Sequence, residues 1–293
     1  MEKRLKIIEC PRDAMQGRHT FIPTEQKIAY INQLLKVGFD GLDCGSFVSP
    51  KAIPQLQDSQ TVLNNINWRE STSKLLTIVA NTRGAAQACE LPQVSYLGYP
   101  FSISETFQLR NTNATIAASL LRLQEIQQLC QQADKQLVVY VSMGFGNPYG
   151  DAWNVQIVQN WVDKLADMGI KIISLSDTVG LARAETVAYL FKNLIPPYPD
   201  VEFGAHLHCR PDDWQEKLAA AVDNGCLRFD GAIKGLGGCP MATDDLTGNM
   251  PTEKMYAYLQ QQNLAAHINP QELAKSVEMA AWLFPNTAAL RQK

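Results

Sequence analysis

The chain has 293 residues, of which 46% are hydrophobic and 19% are charged, and its formal net charge is -3. It contains no apolar run of the roughly 18 residues that a membrane-spanning helix needs. Its weakly acidic balance also lacks the basic surface that nucleic-acid binding requires. The composition is typical of an enzyme that acts on a small molecule. Because the N-terminus has no apolar signal-peptide core, we expect a cytoplasmic protein.

Short apolar segments alternate with longer amphipathic segments along the chain, an order typical of βα units. Eight strands are predicted, at residues 5–10, 39–44, 74–80, 94–98, 136–143, 171–177, 201–208 and 227–233. Helices are predicted at residues 25–37 and 155–168, whose apolar side chains fall on one face. Gly38, Gly169 and Gly225 follow predicted helices, where the left-handed conformation of glycine ends the last turn.

Eight strands, each followed by a helix, in about 250 residues predict a (β/α)8 TIM barrel. We expect a single domain over residues 1–293, because no linker interrupts the pattern. A doubly wound sheet is the alternative, but no G-x-G-x-x-G follows the first strand. The amphipathic segment Glu272 to Leu283 predicts a C-terminal helical extension, which either seals the barrel or contacts a second subunit in a homodimer.

Polar residues collect at the carboxyl ends of these strands, which share one rim in a barrel. The ends of the first, second, fifth, sixth and seventh strands carry Arg12, Asp13, Asp43, Ser46, Tyr140, Ser142, Ser174, Asp177, Thr178, His206 and His208. Side chains two apart on a strand point the same way, so both histidines can face one point. Two imidazoles with oxygen donors are typical of a divalent metal site. A pair of buried structural histidines is the alternative.

Six motifs, in order along nearly the whole chain, resemble the 3-hydroxy-3-methylglutaryl-CoA (HMG-CoA) lyase family of the DRE-type TIM-barrel metallolyases. They are Ile-Glu-Cys-Pro-Arg-Asp-Ala-Met-Gln at 8–16, Ser-Phe-Val-Ser-Pro-Lys at 46–51, Ser-Leu-Ser-Asp-Thr-Val-Gly at 174–180, His-Leu-His at 206–208, Gly-Leu-Gly-Gly-Cys-Pro at 235–240 and Gly-Asn at 248–249. The second and fifth motifs favour the lyase branch over the condensing synthases.

The resemblance implies a Mg²⁺ or Mn²⁺ ion held by Asp13, His206, His208 and the side-chain carbonyl of Asn249. It further implies cleavage of a 3-hydroxyacyl-CoA, with HMG-CoA giving acetyl-CoA and acetoacetate, as in leucine degradation. An acyl-CoA is therefore the expected partner, and neither a nucleic acid nor a membrane is expected.

Arg12 and Cys239 are the catalytic residues that the resemblance implies. A guanidinium stays charged at any working pH, so Arg12 would stabilise the enolate oxygen of the cleaved thioester. A thiol is mostly protonated at neutral pH, so Cys239 would return a proton to the enolate carbon. The alternatives are a local ion pair between Arg12 and Asp13, and an inert buried thiol at Cys239.

Further residues receive supporting roles. Asp43 would tether Arg12, and Asp177 would orient a water molecule, relay a proton or cap the following turn. Hydroxyl groups predicted to bind the acyl group, or else to satisfy neighbouring backbone groups, belong to Ser46, Tyr140, Ser174 and Thr178. The candidate partners for coenzyme A phosphates are Arg18, His19 and Lys51.

The chain departs from the family pattern at several positions. Cys10 and Ala14 replace glycines of the first motif, and Asp43 replaces a glutamate. Cys209 replaces an aspartate that follows the second histidine, so we expect no nearby acid to tune the metal ligands. The 241–247 loop is one residue longer and acidic. These departures keep two alternatives open, namely a related lyase or Claisen-type condensing enzyme for another acid or acyl-CoA, and a non-catalytic barrel that binds a ligand.

Overall fold

A computed structural model describes residues 4–238 and 247–285 of the chain. Its strands are β1 (Lys6–Glu9), β2 (Gly41–Ser46), β3 (Lys74–Ile78), β4 (Val94–Ser102), β5 (Gln136–Ser142), β6 (Ile172–Asp177), β7 (Glu202–Cys209), β8 (Arg228–Gly231) and β9 (Gly248–Asn249). Strands β1 to β8 pair in parallel in chain order, β8 pairs with β1, and the barrel is closed. The predicted (β/α)8 TIM barrel is confirmed.

The helices lie between the strands and after the barrel. They are α1 (Pro11–Gln16), α2 (Thr24–Leu34), α3 (Ser59–Asn65), α4 (Thr82–Cys89), α5 (Glu105–Thr112), α6 (Ile116–Gln132), α7 (Val155–Asp167), α8 (Ala184–Leu194), α9 (Trp214–Asp223), α10 (Thr252–Gln261) and α11 (Pro270–Leu283). Gly38, Gly169 and Gly225 follow helical segments at positive φ values of 87°, 84° and 89°. The three predicted helix ends are thus confirmed. Within the described residues, no helix is long and apolar enough to cross a membrane.

The end predicted for the fourth strand is wrong. We expected the strand to stop at Gly98, yet β4 continues through Pro100 to Ser102 in register with β5. A Cβ atom at Gly98 would lie 2.6 Å from the Cδ1 atom of Ile78 and 3.0 Å from Cε2 of Tyr140. The glycine is therefore there for close packing inside the barrel, and not to form a turn.

Two layers of apolar side chains support the barrel. The interior holds a small cluster around Leu76, Val138 and Ile172, which are all buried. The larger cluster lies between the strands and the surrounding helices. The C-terminal helix α11 packs on α2 of its own barrel, where the rings of Tyr30 and Phe284 lie 5.8 Å apart. This packing confirms the helical extension.

The short helix α1 is one of the elements that the strand pattern did not predict. Pro11 stands at its first position, where a missing N–H costs nothing and a fixed φ favours the helical turn. Because α1 begins two residues after β1, it carries Arg12 and Asp13 across the carboxyl ends of the neighbouring strands.

Candidate metal centre and active site

Asp13, His206 and His208 form one cluster at the barrel mouth. Their ligand atoms all lie within 4.8 Å of one another, with Asp13 on α1 and the two histidines on β7. The Nε2 atom of His208 is buried without a hydrogen-bond partner. An unpartnered buried nitrogen is costly unless something binds it. A carboxylate and two imidazoles that leave positions open for substrate fit a Mg²⁺ or Mn²⁺ ion.

Asn249 joins this cluster through the short strand β9, which pairs with β7 so that Asn249 lies opposite His208. Its amide nitrogen donates to Oδ2 of Asp13 at 2.5 Å and to the carbonyl oxygen of Leu236 at 2.8 Å. These bonds leave the side-chain carbonyl oxygen as the atom that could hold a cation. Gly237 makes the approach feasible, because a Cβ there would lie 2.7 Å from the Asn249 nitrogen.

Each histidine is oriented through its Nδ1 atom. His206 Nδ1 lies 3.2 Å from Oδ2 of Asp230, and His208 Nδ1 lies 2.9 Å from the carbonyl oxygen of Thr178. If Nδ1 carries the proton in both rings, both Nε2 atoms are available as ligands.

The expectation that no acid tunes the metal histidines is therefore wrong. Asp230 on β8 lies opposite His206 in the strand register and supplies the carboxylate that Cys209 does not. The buried Cys209 thiol instead contacts the carbonyl oxygen of Leu207 at 3.6 Å. A signal was present in the sequence, since Arg228 and Asp230 place two charges two residues apart on one face of a short strand.

Arg12 is held over the cluster by two carboxylates. Its Nε and Nη2 atoms donate to Oδ2 of Asp43 at 2.9 and 2.5 Å, and Nη1 lies 3.2 Å from Oδ1 of Asp13. Gln16 accepts a further bond from Nη1 at 2.7 Å. Although Asp43 is a shorter acid than glutamate, it reaches the guanidinium directly. The side chain of Arg12 remains 11% exposed, which lets it meet a substrate.

Burial and these neighbours set the charges of the cluster. Burial and the adjacent His206 lower the pKa of His208 to about 4, so this ring is neutral. Burial raises the pKa of Asp43 to about 6 despite the opposing charge of Arg12. Burial also works against ionisation of Asp13, but Arg12 and the histidines outweigh it and its pKa is lowered. A neutral imidazole and an ionised carboxylate are the forms that bind metals.

A cavity of about 180 Å³ opens above the cluster. Its polar side is formed by Arg12, Asp13, His206 and His208, with Tyr140 and Thr178 beside them. Asn249 does not line it. Its apolar side includes Ile78, Pro100 and Phe107. Lining residues that the sequence reasoning did not assign to substrate are Gln16, Asn111, Thr112, Ser142 and Ser176.

Several other predicted site residues lie outside this cavity. Asp177 accepts the backbone N–H groups of Leu181 and Ala182 at 2.8 and 2.9 Å, which matches the capping alternative. Ser46 accepts the N–H of Val48 at 3.3 Å and faces a separate groove. Ser174 is buried in the barrel, and its hydroxyl has no partner.

The candidates for coenzyme A phosphates do not line the cavity either. Lys51 is exposed, and Arg18 and His19 line a different surface pocket. Cys239 and the residues of the acidic loop up to 246 lie outside the described residues.

Comparisons with known proteins place the chain in a family. The sequence matches the profile of the HMGL-like family over residues 4–279. It is 32% identical over 282 residues to hydroxymethylglutaryl-CoA lyase YngG of Bacillus subtilis, covering 96% of this chain and 92% of that protein. It is 30% identical to the mitochondrial hydroxymethylglutaryl-CoA lyase of Mus musculus, covering 94% of this chain and 84% of that protein.

Solved structures show the same likeness. The B. subtilis HMG-CoA lyase superposes with a TM-score of 0.89 at 30% identity, covering 98% of this chain and 97% of that chain. An HMG-CoA lyase from A. baumannii, solved with coenzyme A and 3-methylmalate, gives a TM-score of 0.88 at 30% identity, over 99% and 96% of the two chains. The matches extend over nearly the whole chain and nearly the whole fold, and this chain therefore belongs to the HMGL-like family.

Proposed function

We propose that this protein is a divalent-metal-dependent lyase that cleaves HMG-CoA into acetyl-CoA and acetoacetate. The observation that carries the proposal is the cluster of Asp13, His206 and His208 beside the guanidinium of Arg12 in one cavity. Relatives named as HMG-CoA lyases match almost the whole chain, and one was solved with coenzyme A. An oxo-acid lyase reaction on an acyl-CoA is the function that the site supports best.

Negative charge develops in turn on two oxygens when a 3-hydroxyacyl thioester is cleaved, first on the 3-hydroxyl oxygen and then on the thioester oxygen. A base takes the proton of the 3-hydroxyl group, the resulting alkoxide becomes a ketone as the C2–C3 bond breaks, and the electron pair of that bond leaves with the thioester half as an enolate. A bound Mg²⁺ or Mn²⁺ ion, held by Asp13, His206, His208 and Asn249, would supply Lewis acidity that lowers the pKa of the hydroxyl group.

Arg12 would stabilise the negative charge on the oxygen of the enolate. Its guanidinium is fixed by Asp43 and faces the cavity, so it can donate to the thioester oxygen as that oxygen becomes negative. A preorganised donor of this kind stabilises the transition state more than the ground state. Asp43 acts by positioning Arg12 and need not touch the substrate.

The enolate carbon needs a proton before acetyl-CoA can leave. We assign this step to the thiol of Cys239, in the glycine-rich segment that follows β8. Loops of this kind close over substrates and exclude water. Tyr140 and Thr178, which line the cavity, are proposed contacts for the acyl group.

A cleavage assay with HMG-CoA, with and without a chelator, tests the proposal. We expect acetyl-CoA to form, the chelator to stop the reaction, and added Mg²⁺ or Mn²⁺ to restore it. Parallel assays with other 3-hydroxyacyl-CoA thioesters and hydroxy acids separate this substrate from that of a related lyase or condensing enzyme. Negligible cleavage of HMG-CoA by metal-loaded protein would overturn the substrate, and turnover that persists in excess chelator would overturn the metal dependence.

Three further expectations extend this proposal. A homodimer, a cytoplasmic location and a role in leucine degradation remain predictions. Size-exclusion chromatography with light scattering tests the first of them, since a dimer would have twice the monomer mass of 32.5 kDa.

A further inference from the structure

A second group of possible metal ligands lies beside the first and shares one residue with it. The Sγ atom of Cys10, a ring nitrogen of His206 and a carboxylate oxygen of Asp230 all lie within 4.8 Å of one another. Cys10 directly follows β1, and its N–H donates to Gly231 at the end of β8 at 2.8 Å. The three side chains therefore come from three successive positions around the barrel, β1, β8 and β7.

The polar atoms of this group are not saturated by the protein. Oδ1 of Asp230 is buried and has no hydrogen-bond partner. The Cys10 thiol is fully buried and contacts the carbonyl oxygen of Ile8 at 3.9 Å, which is a weak interaction. Buried carboxylate oxygens are normally paired. An unpartnered oxygen beside a thiol and an imidazole is a set of donor atoms that one bound cation would satisfy together.

The charges around the group also favour a cation. The Cys10 thiol lies near the carboxylates of Asp230 and Asp43, with the guanidinium of Arg12 as the nearby positive charge. Ionisation of the Cys10 thiol would add one more buried negative charge, which is unfavourable without a partner. A dication that binds the thiolate provides that partner.

We propose that Cys10, His206 and Asp230 form a second site that binds a thiophilic divalent cation such as Zn²⁺. Zinc takes thiolate, imidazole and carboxylate ligands together, whereas Mg²⁺ prefers oxygen. Binding releases the thiol proton, because the thiolate is the ligand. This site does not depend on the lyase reaction, so its test stands apart from that of the proposed function.

The shared histidine makes the two sites compete. A neutral imidazole carries one proton on its two ring nitrogens. With the proton on Nδ1, next to Asp230, His206 offers Nε2 to the Asp13 and His208 site. A zinc ion at Nδ1 shifts the proton to Nε2, and that site loses a ligand. Zinc bound in the second site would thus weaken binding of the Mg²⁺ or Mn²⁺ ion by withdrawing His206 from the first site.

Cobalt absorption tests the site, because a thiolate–Co²⁺ bond gives a near-ultraviolet charge-transfer band that nitrogen and oxygen ligands do not give. Metal-free full-length protein carrying Cys239→Ser is titrated with Co²⁺, so that a band cannot come from that thiol. We expect the band in this background, and we expect Zn²⁺ to remove it. Adding Cys10→Ser should abolish the band, whereas Cys44→Ser, which changes another buried thiol on the neighbouring strand, should keep it.

Zinc affinity provides the second measurement. Cys10→Ser should weaken Zn²⁺ binding by about tenfold or more, since even an outer partner of a metal site contributes that much. Cys10→Ala, with an unchanged melting temperature, serves if the serine variant folds poorly. A missing band in the starting background, or a band that survives Cys10→Ser, would overturn the second site. Loss of HMG-CoA cleavage would not affect either result.

Discussion

Two histidine–aspartate pairs of similar geometry lie in different parts of the molecule. His206 and Asp230 meet inside the barrel at 3.2 Å, and His267 and Asp40 meet outside it, where a loop before α11 passes the start of β2, at 2.9 Å. Both aspartates are shielded from solvent, with side chains 0% and 7% exposed. The pairs differ in what surrounds them.

The outer pair is saturated by hydrogen bonds. Oδ2 of Asp40 accepts the Ile7 N–H at 2.9 Å as well as the His267 bond, and Oδ1 pairs with Arg4. In the inner pair, Oδ1 of Asp230 and Nε2 of the neighbouring His208 have no partner. The comparison teaches that a histidine–aspartate contact alone does not indicate function. Several unpartnered buried atoms gathered around the contact are the stronger signal, because one bound ligand can satisfy them together.

Removing each histidine should separate the two pairs most strongly. His206→Ala should lower kcat/KM by about 10³-fold or more, because a bound cation contributes several kcal/mol of transition-state stabilisation. His267→Ala is the matched control. It should leave kcat/KM within about twofold, because His267 lies outside the metal cluster and its loss acts on the stability of the fold. Steady-state assays of both variants at saturating Mg²⁺ decide the matter. Equal losses of kcat/KM in the two variants would show that the inner pair has no special role in turnover.

Replacing Arg12 tests the charged side of the cavity next to the inner pair. Arg12→Lys should lower kcat by about 10² to 10³ with little change in KM, because the contact strengthens as charge develops on the substrate oxygen. Lysine keeps the charge but lacks the planar fork that Asp43 holds. Arg69→Lys, at an exposed position far from the cavity, is the control. A pure rise in KM would show that Arg12 only binds substrate.

The two aspartates should differ in metal affinity. Asp230→Asn should weaken Mn²⁺ binding by about 10- to 100-fold, as is typical when the partner of a metal histidine is removed. Asp40→Asn should leave Mn²⁺ affinity unchanged, because His267 lies outside the cluster. Calorimetric titration of the metal-free proteins measures both. Unchanged Mn²⁺ affinity in Asp230→Asn would mean that this carboxylate does not orient His206.

The outer pair should act on stability instead. Burial raises the pKa of Asp40, but bonds from His267 and Ile7 and the charge of Arg4 outweigh it, so the pKa lies below its ordinary value of 3.8. The ionised Asp40 carboxylate therefore stabilises the fold. This contribution is fully present above pH 3.8 and is lost as the pH falls through the pKa of Asp40 in the folded protein. Asp40→Asn should cost about 1 kcal/mol at neutral pH. Urea unfolding should show this difference shrinking below pH 3.8, and a constant difference would contradict it.

Much of the fold and part of the site followed from local patterns. The strands, the closing glycines and the position of the metal residues at strand ends depend on periodicities of two and 3.6 residues and on one rule for barrels. His206 and His208 could be placed together because both lie on one strand. Asp13 could be added from its position at the end of the first strand together with the family resemblance, since Arg12 and Asp13 alone favour a local ion pair.

The rest depends on contacts that periodicity does not encode. Asp230 orients His206 only through the pairing of β7 with β8, so the lost aspartate at Cys209 was misleading. Asp177, although at a strand end, turns its oxygens to the backbone of its own loop. Gly98 resembled a strand end because sequence alone does not show which side chains cross the barrel interior.

The central claim is that two imidazoles of one strand bind the catalytic cation. Pulsed electron paramagnetic resonance of bound Mn²⁺ tests it most directly, because the electron spin couples to each ligating nitrogen. We predict couplings from two histidine nitrogens in the wild-type protein, and from one in His206→Ala loaded with excess Mn²⁺. A spectrum without histidine coupling, or one that His206→Ala leaves unchanged, would contradict the account.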